Sequence, residues 1–250
     1  MSDFLALPLH IPSIEEQRRI ASILDEVDAI RAKRRAQLAH LDELPQALFH
    51  ETFGLPSDYW ATLSDFCNFY SGGTPSKSKS DYWEGSLPWF SAKDLKSANL
   101  IDSVDHVSER VPTETRLRTL PQNTIVLVVR GMILAHTVPV SVLRVSGLIN
   151  QDLKALIPRV DIDTDFLAEA VRARESWLLG QVSAAAHGTT KLDSSILGVL
   201  PVPRIPFRDQ QEFAEKIAVV RAEHDRVARA LQADDELFAA LQYRAFRGEL

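Results

Sequence analysis

Ile11-Pro12-Ser13-Ile14-Glu15-Glu16-Gln17-Arg18-Arg19-Ile20 returns in altered form near the far end as Ile205-Pro206-Phe207-Arg208-Asp209-Gln210-Gln211-Glu212-Phe213-Ala214. Ile11, Pro12 and Gln17 fall on Ile205, Pro206 and Gln211. With one residue dropped further on, Asp42-Glu43-Leu44 falls on Asp235-Glu236-Leu237 and Phe53 on Phe246, and each copy has a glycine close behind, Gly54 and Gly248. A repeated segment of about 45 residues therefore brackets a unique middle, and a repeat of that length governs how the rest is read.

Each copy predicts a long helix. Pro12 and Pro206 stand just ahead of the periodic run, where a missing amide costs nothing. Ser13 with Glu16, and Asp209 with Glu212, have capping-box spacing. Apolar residues then recur at helical intervals: Ile20, Ile23, Val27, Ile30, Leu38 and Leu41 in the first copy, and Phe213, Ile217, Val220, Val227 and Leu231 in the second. These seams resemble heptads and are interrupted by Arg34 and His224. The run from Ile14 to Leu44 spans roughly 45 Å, and Pro45 should kink or end it. A stripe that long needs a partner helix, so the two copies are expected to pair through these residues.

Composition is that of an ordinary globular protein, 45% hydrophobic and 25% charged over 250 residues. One cysteine, Cys67, excludes an internal disulfide framework and any cysteine-based zinc cluster. With no leader pattern and no apolar run of membrane-spanning length, a cytoplasmic protein without a membrane partner is expected. The net charge of −6 argues against a non-specific coat for nucleic acid. Between Ser57 and Ile205 stand 15 Lys and Arg against 16 Asp and Glu, so most of the acidity lies on the helical segments.

The expected division is a helix over 1–54, a domain over 55–205 and a second helix over 206–250. Within the middle, Thr124-Ile125-Val126-Leu127-Val128-Val129-Arg130 reads as a buried strand. Leu87 to Phe90, Val138 to Val145 and Lys154 to Ile157 read as further strands, and Asp165 to Leu179 as a helix. Ser71-Gly72-Gly73-Thr74-Pro75-Ser76-Lys77-Ser78-Lys79-Ser80 and His187-Gly188-Thr189-Thr190-Lys191 are polar loops. The fold class predicted is α+β, a mixed, mostly antiparallel β domain flanked by two long coiled-coil-like helices.

Catalytic chemistry is not legible. There is no phosphate-binding Gly-x-x-x-x-Gly-Lys, no His-Glu-x-x-His, and Gly72-Gly73 does not complete a dinucleotide fingerprint. Asp161, Asp163 and Asp165 alternate like calcium ligands but lack the central glycine and terminal glutamate, so no metal site is expected. A chain without a catalytic role of its own, and without a cofactor, is the reading.

The middle nevertheless resembles a known family. Ser71-Gly72-Gly73-Thr74-Pro75-Ser76, Tyr82-Trp83, Leu87-Pro88-Trp89, Lys93-Asp94-Leu95, Leu120-Pro121, Arg130-Gly131, Ile149-Asn150-Gln151 and Gly188-Thr189-Thr190 occur in the order seen in target recognition domains. Such domains belong to the specificity subunits of type I restriction–modification enzymes. The resemblance implies a DNA-recognition subunit that docks methyltransferase subunits on its helices. The methyltransferase would bring S-adenosylmethionine, and a separate restriction motor subunit would bring ATP and magnesium. Family members carry two recognition domains and two spacer helices, whereas this sequence has both helices and one recognition domain. It looks like a subunit lacking its first half, or a permuted half-subunit, and a homodimer reading two half-sites is expected. The alternative is a helical assembly or inhibitory module derived from such a subunit and without DNA reading of its own.

Residue chemistry suits double-stranded DNA. Gly72, Gly73, Thr74 and Ser76 allow close approach to a backbone, and Lys77, Lys79, Lys93 and Lys191 can neutralise phosphate. Arg130 suits guanine, while Asn150 and Gln151 suit adenine. His187, Thr189 and Thr190 complete the second loop. Each has a plainer reading as well: Asn150 and Gln151 as turn caps, Arg130 in an internal ion pair, Trp83 and Trp89 as core.

Overall fold

Helix α1 (Ile14–Phe53) runs through Pro45 instead of stopping there, in a computed structural model that describes residues 12–54, 60–184 and 190–249. An interior proline costs a helix about 3 kcal/mol. The turns beyond it carry Phe49, which is wholly buried, and Phe53, and burying one such ring recovers about 1.5–3 kcal/mol. Helix α7 (Phe207–Phe246) matches α1 at 40 residues, about 60 Å. The chain divides into two compact units, Met1–Pro45 with Ile217–Leu250 and Gln46–Lys216.

In the first unit the helices run antiparallel, since rising positions on α1 meet falling positions on α7. Arg31 Nε lies 2.6 Å from Asp235 Oδ1, Arg34 pairs with Asp234, and Asp42 Oδ1 lies 3.2 Å from His224 Nε2. The two residues that interrupt the apolar seams, Arg34 and His224, thus each face a carboxylate on the other helix. Ile217 and Val227 are almost fully buried. Ile20, Ile23, Val27, Leu38, Leu41, Val220 and Leu231 are half-buried, and Ile30 is exposed. Phe213 lies in the second unit, where its ring meets Phe49, Phe53 and Phe166 at centroid distances of 5.7, 5.0 and 6.3 Å.

The helix starts correct two expectations. Ser13 Oγ accepts the Glu16 amide at 3.2 Å, but the Glu16 carboxylate turns to Arg19 instead of completing a box. Asp209 and Glu212 form no box, because α7 begins two residues before Asp209 and Glu212 pairs with Arg208. The repeat is also displaced by one. Gln17 Nε2 donates to Pro12 O at 2.9 Å, and the same five-residue back-bond is made by Gln210 to Ile205 O at 3.0 Å. Gln210, not Gln211, is the counterpart of Gln17, so the dropped residue falls at the helix start.

The second unit is built on a five-stranded sheet in the order β2 (Cys67–Ser71), β9 (Leu153–Pro158), β6 (Thr124–Val128), β7 (Val140–Leu143), β4 (Asn99–Leu100). Its pairings are antiparallel except β4 with β7. Strand β6, apolar after Thr124, is buried along its length, as a central strand covered on both faces must be. A second sheet sets β3 (Leu87–Phe90) between β5 (Asp105–Val107) and β8 (Leu148–Ile149). Strand β1 (Trp60–Thr62) pairs with β12 (Pro201–Pro203), tying entry to exit, and β10 (Ser183–Ala184) pairs with β11 (Thr190–Lys191). Short helices α2 (Leu63–Phe66), α3 (Val111–Glu114) and α6 (Ser194–Gly198) fill connections. The helix expected over Asp165 to Leu179 is two helices, α4 (Thr164–Arg172) and α5 (Glu175–Leu179), parted at Ala173-Arg174. Asp163 caps α4 by accepting the Phe166 amide at 2.9 Å, a structural use for one of the alternating aspartates. Asp165 faces Arg144, an ion pair at 2.5 Å.

Candidate nucleic-acid interface

Four segments far apart in sequence end at one cleft. Ser71 closes β2, Arg130 follows β6, and Gln151 stands in the turn that opens β9. Lys154 lies on β9, and Lys191 ends β11. Together with Val129, Leu192, Asp193 and Ser194 they line it. Adjacency in the sheet explains the convergence: Lys154 pairs with Ser71 on one side and Leu127 on the other, and an isolated bridge joins Arg130 to Lys191. The cleft holds three cations against the single carboxylate of Asp193, in a protein whose overall charge is negative.

Its side chains are held in place. Lys154 Nζ donates to Ser71 Oγ at 2.5 Å, and burial pushes its amine pKa down. Lys191 Nζ lies 3.1 Å from Asp193 Oδ1. Thr74 Oγ1 donates to Gln151 Oε1 at 2.6 Å, which aims the amide N–H groups of exposed Gln151. Thr190 Oγ1 donates to Gly131 O at 2.6 Å, fixing the start of β11 against the end of β6. The Arg130 guanidinium is exposed and makes no ion pair among the described residues.

Other expected contacts have internal uses. Gly72 lies so close to β8 that a Cβ there would sit 1.8 Å from Ile149 O, so packing by itself requires glycine at this position. Gly73 O accepts the Trp89 indole N–H at 3.0 Å. Asn150 is buried, its amide donating to Asp152 Oδ2 at 3.1 Å and its oxygen accepting the Asp152 N–H at 3.0 Å. It shapes the turn that presents Gln151. Lys79 donates to Tyr82 OH at 2.9 Å, and that bond with the phenol holds its pKa up. Lys93 pairs with Asp105 at 2.6 Å. Trp89 lies in a core with Tyr82, Leu87, Val107, Val111 and Leu148, and Trp83 packs against it. Ser76 shares a hydroxyl contact with Ser78, and Lys77 is exposed. His187 and Thr189 lie outside the described residues.

Sequence reasoning missed Lys154, Asp193 and Ser194, and had Ser71 only as the start of a polar loop. Lys154 had left a signal: it is the one charge in the apolar run Leu153-Lys154-Ala155-Leu156-Ile157. Among the described residues no group of His, Cys, Asp and Glu could hold a metal ion, and no helix is long and apolar enough to cross a membrane.

One unit is thus a mixed-sheet domain with a cationic, polar cleft, and the other a pair of long antiparallel helices. The sequence model of the type I restriction modification DNA specificity domain matches residues 58–226, well over half of the chain, and the chain belongs to that family. It is 30% identical over 207 residues to the specificity subunit of the Escherichia coli type I restriction enzyme EcoR124I/EcoR124II, covering 81% of this chain and 51% of that one. It is 25% identical over 191 residues to the MjaIX specificity subunit of Methanocaldococcus jannaschii, covering 74% and 42% respectively. The chain thus spans about half the length of the curated relatives it matches. The fold is similar to the HsdS subunit from Thermoanaerobacter tengcongensis, with TM-score 0.58 and 21% identity over 97% of this chain and 60% of that one. It is also similar to the S subunit from M. genitalium, with TM-score 0.62 and 18% identity over 94% and 61%. A further match is a chain solved in work on assembly and conformational transition of the type I R-M system, with TM-score 0.67 and 21% identity over 96% and 61%.

Proposed function

We propose that this chain reads one half of a bipartite site in double-stranded DNA for a type I restriction–modification complex, without carrying out chemistry itself. The observation that supports it is the convergence of Arg130, Lys154 and Lys191 with Gln151 at one cleft. Cations there neutralise backbone phosphates, while a guanidinium and an aimed carboxamide can each bond a base edge in the major groove. We take 55–205 as the recognition domain. The long helices serve as spacer and as the surface on which methyltransferase subunits dock, with the restriction motor subunit joining the full complex. Two copies of the chain, paired through their helices, would supply two recognition domains to a two-part site.

The test is selection from a random duplex pool with the full chain, alone and with its methyltransferase. A recovered consensus supports the reading. Lys191→Ala should weaken binding to all sequences alike and flatten the salt dependence by roughly one unit of slope. Retention of no sequence under either condition overturns DNA reading and favours an assembly module.

A further inference from the structure

We propose that Met132 and Ile133 form an apolar reading tip beside the cationic cleft, and that it contacts the 5-methyl group of a thymine. The proposal rests on the DNA reading above and extends it to a residue type that reading leaves out. Met132 is 75% exposed and Ile133 43%, and they are adjacent at the crest of a 3-10 turn over Met132–Ala135. Large apolar side chains gain by burial, so two of them standing side by side in water would be stabilised by an apolar group that covers them.

The turn is rigidly mounted. Gly131 holds φ +140, a conformation that L side chains rarely adopt. Its N–H donates to Thr190 O at 3.0 Å, and its carbonyl accepts the Thr190 hydroxyl at 2.6 Å. Below the crest Leu134 is fully buried, and Ile133 O accepts the amides of His136 and Thr137, each at 3.0 Å. The backbone of the tip is therefore already ordered before anything binds.

Its occupant follows from its neighbour. Arg130 immediately precedes Gly131 and bridges to Lys191, so the tip is continuous with two of the three cations of the cleft. Whatever the cleft draws in by charge is held against Met132 and Ile133. On duplex DNA the apolar group displayed on a base edge is the thymine methyl of the major groove, the same groove in which an arginine reads guanine.

The experiment takes the consensus duplex selected with the full chain and replaces each thymine in turn with deoxyuridine, which removes only the methyl. Wild type should lose about fourfold in affinity at one or two positions, the worth of a buried methyl group. The M132A/I133A double variant should keep its melting temperature and bind thymine and deoxyuridine duplexes equally. A consensus without thymine, or one indifferent to deoxyuridine throughout, overturns the tip while leaving DNA reading intact. A double variant weakened equally on both duplexes, with loss of a protein-induced bend, would mark a wedge between base pairs and also overturns it. Normal DNA binding with lost methyltransferase assembly would assign the tip to a protein partner. Failure of wild type to select any sequence defeats the DNA reading itself, a result distinct from these.

Discussion

Lys154 is a cation kept at a cost. Burial lowers its pKa from the ordinary lysine value of 10.5, and among the described residues only the Ser71 hydroxyl is bonded to it. A group whose folded pKa is depressed stabilises the fold only above its unfolded pKa, so the ammonium opposes folding at neutral pH. A DNA phosphate would favour the charged form and reverse that preference. Lys154→Met is therefore expected to leave the melting temperature unchanged or higher while weakening DNA binding severalfold on every sequence. In wild type, affinity should fall as pH rises through the lowered lysine pKa, below 10.5, whereas Lys154→Arg should be flat over the same range. Binding titrations and thermal melts from pH 7 to 10 check both. The neighbouring pair Asn150 and Gln151, alike in chemistry, should separate. Asn150→Ala removes both bonds to Asp152 and should cost about 1–3 kcal/mol in stability. Gln151→Ala should melt normally and lose about 1–3 kcal/mol of discrimination at a single base pair. Loss of stability in both, with preference unchanged, would take Gln151 out of the interface.

At the scale of elements, the two long helices combine a few deeply buried contacts with many partial ones. Val227 is 1% exposed, whereas Val27 on the seam of the other helix is only half-buried. Val227→Asp should cost about 3–5 kcal/mol because the new carboxylate has no partner, and Val27→Asp distinctly less. Melting followed by circular dichroism ranks the two, and equal losses would contradict the burial difference. The cross-helix ion pairs have a different part. Arg34 and Asp234 are partly exposed, so each such pair is worth no more than about 1 kcal/mol. Their contribution is register: Arg34 opposite Asp234 and Asp42 opposite His224 match only when α1 and α7 are antiparallel and aligned as they are.

For the molecule as a whole, one recognition domain accompanies two helices that still expose Ile14, Ile30, Val219 and Leu237. Static light scattering at tens of micromolar is expected to give a homodimer, either alone or with methyltransferase. A monomer under both conditions would contradict the half-site reading.

The repeat, the two helices, the buried strand β6 and the mixed sheet were legible in the sequence, because period and propensity are properties of neighbouring residues. Tertiary structure decided whatever depended on residues brought together from a distance. Helix α1 continues through Pro45 because Phe49 and Phe53 meet Phe166 and Phe213. Gln210, and not the aligned Gln211, corresponds to Gln17, because the matching back-bond to Ile205 exists only in the folded helix start. Asn150 turns inward and Gln151 outward because Asp152 and Thr74 claim them separately. Lys154 became a site residue when β2 and β6 closed around β9. Local pattern settles what each segment becomes; which side chains share a cleft depends on strand order and register, and those are set by long-range packing.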